Sequence, residues 1–239
     1  MPRLPNSCVF QALLLCCIAA AAFCAIPAHG ADARGKRAAD FRESMFLDVD
    51  SAAVKKLRAA EDHLKVEQWA EAIDILRQTV DAHGDKLVPA APHRYVNVRT
   101  YADMLVSGLP AAGLRIYRER ADPAVKKLFE TGKAERDEDL LQRVLRQGFA
   151  SSYGDDALLL LGDLAWEHGA LSAARGYWEK ILTPKQYFPP GHPLSSLAYP
   201  DTDVDLASVR ARLVLCSLVQ GNRRRAEWEI GRASCRERV

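Results

Sequence analysis

The sequence has little cysteine outside its two ends. Of its 6 cysteines, four lie between residues 8 and 24 and Cys235 lies near the carboxyl terminus, which leaves Cys216 alone in the central part. A single thiol cannot form an internal disulfide bond, so apolar packing must stabilise the fold. Because Cys216 stands in the apolar run LVLCSLV, we predict that it is a small buried core residue, with a reactive or lipid-modified thiol as the second interpretation.

Motifs for catalysis and metal binding are also scarce. No two histidines stand at a metal-ligand spacing, and the sequence has neither a glycine-rich phosphate loop nor a nucleophile elbow. The acidic run DTDVD at residues 201–205 resembles the start of a calcium loop, but Leu206 and Arg212 replace the glycine and the acid that such a loop needs. We therefore interpret this run as helix-capping residues. We predict no catalytic residue, no cofactor-binding residue and no metal ligand, and a protein that is not an enzyme.

The charge balance gives no reason to expect a nucleic acid or an anionic membrane as partner. The chain has 33 basic and 31 acidic residues, and the two numbers become equal when residues 1–30 and 229–239 are set aside. The basic cluster Arg223-Arg224-Arg225 is therefore interpreted as solvated surface at the start of a helix. Contact with an acidic partner is the second interpretation.

The first 30 residues predict a secretory signal peptide. Arg3 precedes an apolar run at residues 8–26, and small residues occupy the two positions that matter for cleavage after Gly30. An uncleaved anchor is the alternative, since about 20 apolar residues span a membrane. A lipoprotein is a weaker interpretation, because the large Phe23 precedes Cys24. We expect export to the periplasm or cell envelope, with residues 31–47 as a flexible leader.

The last eleven residues differ in pattern from the rest of the chain. Residues 229–239, EIGRASCRERV, break the helical pattern, and they resemble a translated sequencing adapter that encodes Ile230 to Val239. This resemblance predicts that the tail is an artefact and that the natural protein continues beyond about Trp228. A natural basic tail is the alternative.

Helical patterning is what the sequence has in abundance, and it is clearest between Asp155 and Leu182. Leucines recur there at the three-and-four spacing of one helical face, and Gly162 among them would let a partner helix approach closely. Gly169 then supplies the left-handed cap that ends this helix. A second apolar face follows, made of Leu171, Ala174, Tyr177, Trp178 and Ile181.

This helical pair resembles a tetratricopeptide repeat. The matching positions are Leu161, Gly162, Gly169, Ala174 and Trp178, and an earlier pair places Trp69 and Ala72 at the aromatic and small positions. The resemblance implies an all-α fold, an irregular tetratricopeptide-like solenoid of helical hairpins over residues 48–228. We expect about nine helices and no strand, with prolines interrupting residues 85–97 and a new helix starting at Asp122-Pro123.

The order of these features resembles one family, the exported bacterial proteins in which a tetratricopeptide-like region precedes a pyrroloquinoline-quinone-type β-propeller. The stretches that carry the resemblance are AAEDHLKVEQWAEAIDIL, GLRIYRERADPAVKKLFETG, LLQRVLRQGFASSYGDDALLLLGDLAWEHGALSAARGYWEKIL and VRARLVLCSLVQGNRRRAE. The resemblance implies a helical module and a propeller that is missing from this chain. It does not imply that this chain binds the quinone cofactor.

These features predict a protein-protein interaction scaffold in the cell envelope. The partner would be a protein or peptide, or the missing propeller of the same protein. Tyr187, Phe188 and Tyr199, in a proline-rich segment, are the expected exposed contact residues. The alternative is an accessory domain of a quinone-dependent dehydrogenase whose catalytic propeller lies outside this chain.

Overall fold

The structure, a computed structural model, describes residues 49–91, 94–182 and 197–234, and within them the chain is mostly α-helical, as predicted. The predicted signal peptide, the predicted leader, Tyr187 and Phe188 lie outside the described residues. The helices are α1 Ser51–Lys65, α2 Trp69–His83, α3 Val98–Ser107, α4 Ala111–Glu135, α5 Glu138–Gly148, α6 Gly154–Glu167, α7 Leu171–Ile181, α8 Leu206–Val219 and α9 Arg223–Ser234. None of these helices combines the length and apolarity needed to cross a membrane.

Two short strands correct the expectation that the chain has none. β1, Leu87–Ala91, pairs antiparallel with β2, Arg94–Asn97, and Val88 lies opposite Val96. Proline is tolerated in such a pair because each strand has a free edge where the missing N–H is not needed. Val88 is buried in an apolar cluster with residues of α1 to α4, and β1 contacts α1 and α3. The proline-containing interruption is therefore a small ordered sheet packed on α1 and α3.

Helix α4 corrects a second expectation, because it runs without a break through Pro123. We predicted that Asp122 would cap a new helix at this point. Its carboxylate instead accepts hydrogen bonds from the backbone N–H and the hydroxyl of Ser152, at 3.0 and 2.8 Å. Proline inside a helix removes one backbone hydrogen bond. Burial of Tyr117 before it and Val125 after it stabilises both halves of the helix.

The central pair, α6 and α7, has the predicted glycine geometry. A Cβ atom added to Gly162 would lie only 2.2 Å from Nε1 of Trp178, so glycine is what lets the indole ring lie against α6. Leu161, Trp178 and Ala174 are all buried. Gly169 ends the turn with a φ of 73°, which confirms the left-handed cap.

The first and last pairs also bury the residues expected at their contacts. Ala72 in α2 is fully buried, and Trp69 packs on the same apolar cluster. In the last pair, Asp205 caps α8 by accepting hydrogen bonds from two backbone N–H groups. Cys216 is buried and unpaired, as predicted. Helix α9 continues to Ser234, so the expectation that the helical pattern breaks at residue 229 is wrong.

The buried apolar side chains form three clusters that follow one another along the chain. The first cluster joins α1 to α4 around Ile73, the middle cluster joins α4 to α6 around Val125, and the last cluster joins α6 to α8 around Leu213. Neighbouring clusters share a helix, so the core is continuous along the described chain. A groove lies beside the first cluster.

Candidate functional site

A groove of about 300 Å³ opens between α2, α3, α4 and α5. Its floor is apolar and mostly buried, and it is formed by Ile73, Leu76, Val80, Ala102, Val106 and Tyr117. Charged side chains with greater exposure line the rim of the groove, and they are Arg77, Asp81, Arg99, Asp103, Arg120 and Arg146. Apolar floors with a few polar groups at the edge are typical of ligand sites.

Two of the four arginines are held by the protein itself. Arg99 in α3 donates a hydrogen bond from Nη1 to the carbonyl oxygen of Arg146, at 2.9 Å. Arg120 in α4 donates to the carbonyl oxygen of Ala70 at 3.0 Å and to the carboxylate of Asp74 at 2.5 Å. These bonds tie α3 to α5 and α4 to α2, and they fix two positive charges in place.

Gly84, at the end of α2, makes room for one of these arginines. A Cβ atom at this position would lie 2.8 Å from Nη2 of Arg99 and 2.6 Å from the carbonyl oxygen of Val80. The backbone of Gly84 is in the ordinary helical region, which any residue can adopt. Glycine is therefore needed at this position because a side chain would collide with Arg99 and with the carbonyl oxygen of Val80.

The other two arginines are available. Arg77 in α2 and Arg146 in α5 are exposed, and neither side chain forms an ion pair with any residue that the structure describes. A guanidinium group stays charged at every physiological pH and presents a planar set of donors to a carboxylate or phosphate. The rim therefore carries two unused anion-binding groups on opposite elements.

Asp103 is the unusual acid of the groove. It is partly buried, and no described side chain donates a hydrogen bond to it. Burial raises the pKa of its carboxyl to about 7, although the charges of Arg99 and Lys180 act in the opposite direction. Burial also lowers the pKa of Lys180, in α7. The groove thus contains a carboxyl group that changes its charge near neutral pH.

A second polar cluster corrects the expectation for Tyr199. We predicted an exposed contact residue, but the side chain is 2 % exposed. Its hydroxyl donates to the carbonyl oxygen of Ser151 at 2.7 Å and accepts from Arg118 at 3.0 Å. Arg118 also forms a two-point ion pair with Asp201. A buried tyrosine hydroxyl needs such partners, and here they fasten the segment before α8 to α4.

The acidic run at residues 201–205 serves structural contacts. Asp201 pairs with Arg118, Thr202 donates to Asp155 at 2.8 Å, and Asp205 caps α8. Over the residues that the structure describes, no group of three or more histidine, cysteine, aspartate or glutamate side chains is arranged to hold a metal ion. The interpretation of this run as capping residues is confirmed for Asp205.

Sequence reasoning missed the groove. Its residues come from four helices spread over residues 73–147, so no local spacing brings them together. The one available signal was Asp103, an acid between Ala102 and Met104 in an otherwise largely apolar helix. None of the predicted repeat residues lines this groove: Ala72, Leu161, Gly162, Ala174 and Trp178 are buried, Trp69 is partly buried and Gly169 is exposed in its turn.

No protein-family model, curated protein or solved structure matches this chain. The function is therefore argued from the groove, the packing of the helices and the features of the sequence.

Proposed function

We propose that this chain is a protein-interaction module, the helical part of a larger exported protein of the cell envelope. Three observations support an irregular tetratricopeptide-like solenoid. Consecutive helices pack as hairpins across short turns, the apolar clusters follow the order of the chain, and α6 and α7 have glycine, alanine and tryptophan at the contact positions of such a repeat. The apolar start of the sequence supports export, and the resemblance to propeller-containing proteins supports a neighbouring propeller domain.

The groove beside α3 is the observation that carries the proposal. Its buried apolar floor would accept side chains of a partner, and its charged rim would orient the partner's polar groups. Arginine is enriched at the centres of protein interfaces because it combines charge, planar hydrogen bonding and an apolar stem. The groove is open to solvent and lies between helices that the core holds in place, which suits the binding of a peptide segment.

The proposal can be tested by filling the groove. Ala124 is exposed on α4 and lines the groove, whereas Ala112 is exposed on the same helix and does not. We would select peptides from a displayed random library against the purified full chain and measure their binding to the variants Ala124→Trp and Ala112→Trp. We expect the selected peptides to lose binding to Ala124→Trp and to keep it with Ala112→Trp.

Two outcomes would contradict the proposal. If selection yields no peptide that binds saturably, the chain is not a peptide-binding module of this kind. If the selected peptides bind both tryptophan variants equally, binding takes place elsewhere on the surface. Circular dichroism of both variants provides the check that each one folds.

A further inference from the structure

We propose that the ligand of the groove is an acidic peptide segment, whose carboxylates pair with Arg77 and Arg146 while neighbouring apolar side chains contact the floor. This inference rests on the proposed interaction function and adds the chemical class of the partner. It follows from the charges at the rim, from the lack of internal partners for two arginines, and from the position of Asp103.

The rim has an excess of positive charge. Four arginines line the groove, against two aspartates, and Asp74 beside the groove pairs with Arg120, so that one positive charge remains in excess. The chain as a whole has nearly equal numbers of basic and acidic residues, so this excess is local and does not reflect a generally basic surface. Opposite charge on a ligand would increase its rate of association and orient it in the groove.

Arg77 and Arg146 are the ligand-binding groups because, of the four arginines that line the groove, they are the two whose side chains form neither a hydrogen bond nor an ion pair with the described residues. They lie on α2 and α5, two of the four helices that line the groove, so that a segment bound along it would contact both. Arg99 donates to the backbone of Arg146, which places a third positive charge beside that residue. Charge-assisted, two-point hydrogen bonds to carboxylates are the strongest contacts that arginine makes with a peptide.

The apolar floor selects a peptide over a small inorganic anion. Val80 and Ala121 are partly exposed in the groove and Ala124 is exposed, and a phosphate or sulfate ion would leave this apolar surface uncovered. A segment with both acidic and apolar residues would form ion pairs at the rim and apolar contacts with the floor. Nucleic acid would also bring anions, but its bases prefer to stack on exposed aromatic side chains, and the one aromatic residue that lines the groove is buried.

Asp103 would make this binding depend on pH. Its carboxyl faces the groove among charged and titratable groups from all the surrounding helices, namely Arg77 and Asp81 of α2, Arg99 of α3, Tyr117 and Arg120 of α4, Arg146 of α5 and Lys180 of α7. When the carboxyl is ionised it repels an anionic ligand, and when it is protonated this repulsion is absent. An acidic peptide should therefore bind more tightly below neutral pH than above it.

The test uses the full chain and a short fluorescent peptide in which glutamate and leucine alternate, with a glutamine-leucine peptide for comparison. Fluorescence anisotropy at about 0.15 M salt, where the screening length is about 8 Å, suppresses long-range attraction. We expect the glutamate peptide to bind and the double variant R77Q/R146Q to weaken binding about tenfold or more. The matched variant R223Q/R224Q removes the same charge from exposed positions of α9 and should leave binding unchanged.

Several results would overturn the inference. Equal binding of the glutamine peptide would show that acidity is not recognised, and equal losses in both double variants would indicate a nonspecific effect of net charge. If a single-stranded oligonucleotide binds more tightly than the glutamate peptide, and this binding depends on Arg77 and Arg146, the ligand class is a nucleic acid and not a peptide. If library-selected peptides bind in the groove but lack acidic residues, the interaction function stands and the acidic class is wrong.

Discussion

The two halves of the described chain differ in how regularly their helices pair. In residues 154–182 and 197–234, α6 pairs with α7 and α8 with α9 across short turns, and the buried Arg175 joins one pair to the next. In residues 49–148, a sheet and a long helix interrupt this regular pairing. The irregular half contains the arginine-lined groove, whereas the helices of the regular half pack around the last apolar cluster.

The arginines of the two halves show the difference most directly. Arg175 in α7 is 9 % exposed and donates to the hydroxyl of Ser217 at 2.7 Å, so its charge is used to join α7 to α8. Glu179 accepts a hydrogen bond from Arg225 at 2.5 Å and extends this contact to α9. In the irregular half, Arg77 and Arg146 make no such contact and face the groove. In the regular half the buried Arg175 is used to join two helices, whereas in the irregular half Arg77 and Arg146 are left for a partner.

The largest effect is expected from a substitution at Gly162, where the ring of Trp178 lies against α6. Gly162→Ala would place a methyl group within 2.2 Å of the Trp178 ring, which is itself buried and unable to move away. We expect a loss of about 2–3 kcal/mol in the free energy of unfolding, measured by urea denaturation.

The matched change Gly176→Ala, in α7, meets no atom within 4 Å and should stabilise the protein by about 0.5–1 kcal/mol. Opposite signs for the same substitution would confirm that α6 and α7 are held by close backbone approach. A loss of similar size at both positions would mean that the close approach of Trp178 is not what requires glycine at residue 162.

A substitution at Asp103, in the groove, should instead stabilise the protein, because it removes an unfavourable buried charge. Because burial raises the pKa of Asp103 from 3.8 to about 7, the folded state keeps a proton that the unfolded state loses between about pH 4 and pH 7. Stability therefore falls as the pH rises through this range, and the penalty is complete above pH 7.

Asp103→Asn removes that penalty. We expect the variant to be more stable than the parent by about 1–2 kcal/mol at pH 8, after allowing for the partial exposure of the side chain, and equally stable near pH 4. Urea denaturation at both pH values measures the difference. A constant difference between the two pH values would show that Asp103 does not titrate in this range.

A smaller effect is expected at the contact that joins the two halves. Tyr199→Phe removes the hydroxyl that donates to Ser151 and accepts from Arg118. The ring would still fill its buried site, and Ser151 keeps a backbone hydrogen bond from Gly154. We therefore expect a loss of only about 1 kcal/mol. Thermal unfolding of this variant should show a lowered Tm, and an unchanged Tm would mean that the ion pair of Arg118 with Asp201 fastens this segment by itself.

Sequence reasoning worked where local spacing decides the structure. Gly162, Gly169 and Trp178 lie within one hairpin, so the three-and-four spacing and the turn glycine were enough to predict their contacts. It failed for Tyr199, whose burial depends on Ser151 and on a residue of α4 that is distant in the sequence. Aromatic residues near prolines suggested an exposed loop, but tertiary contacts bury this one.

The continuous α4 and the groove were missed for a related reason. A proline after an aspartate is a common helix start, but Asp122 is used by Ser152, and packing on both sides outweighs the hydrogen bond that Pro123 lacks. The groove needs side chains from four helices, and only their arrangement in space brings Arg77 near Arg146. Charged residues on separate amphipathic helices carry no local signal of the site that they form together.

The continuity of α4 also determines how cooperatively the protein unfolds. In a linear array of repeats, each unit is coupled only to its neighbours, and a flexible linker would let one end unfold alone. Here a single helix supplies Tyr117 to the first apolar cluster and Val125 to the middle one. The two clusters therefore form one cooperative unit, and their slowest amide hydrogens should exchange with solvent at the same free energy of opening.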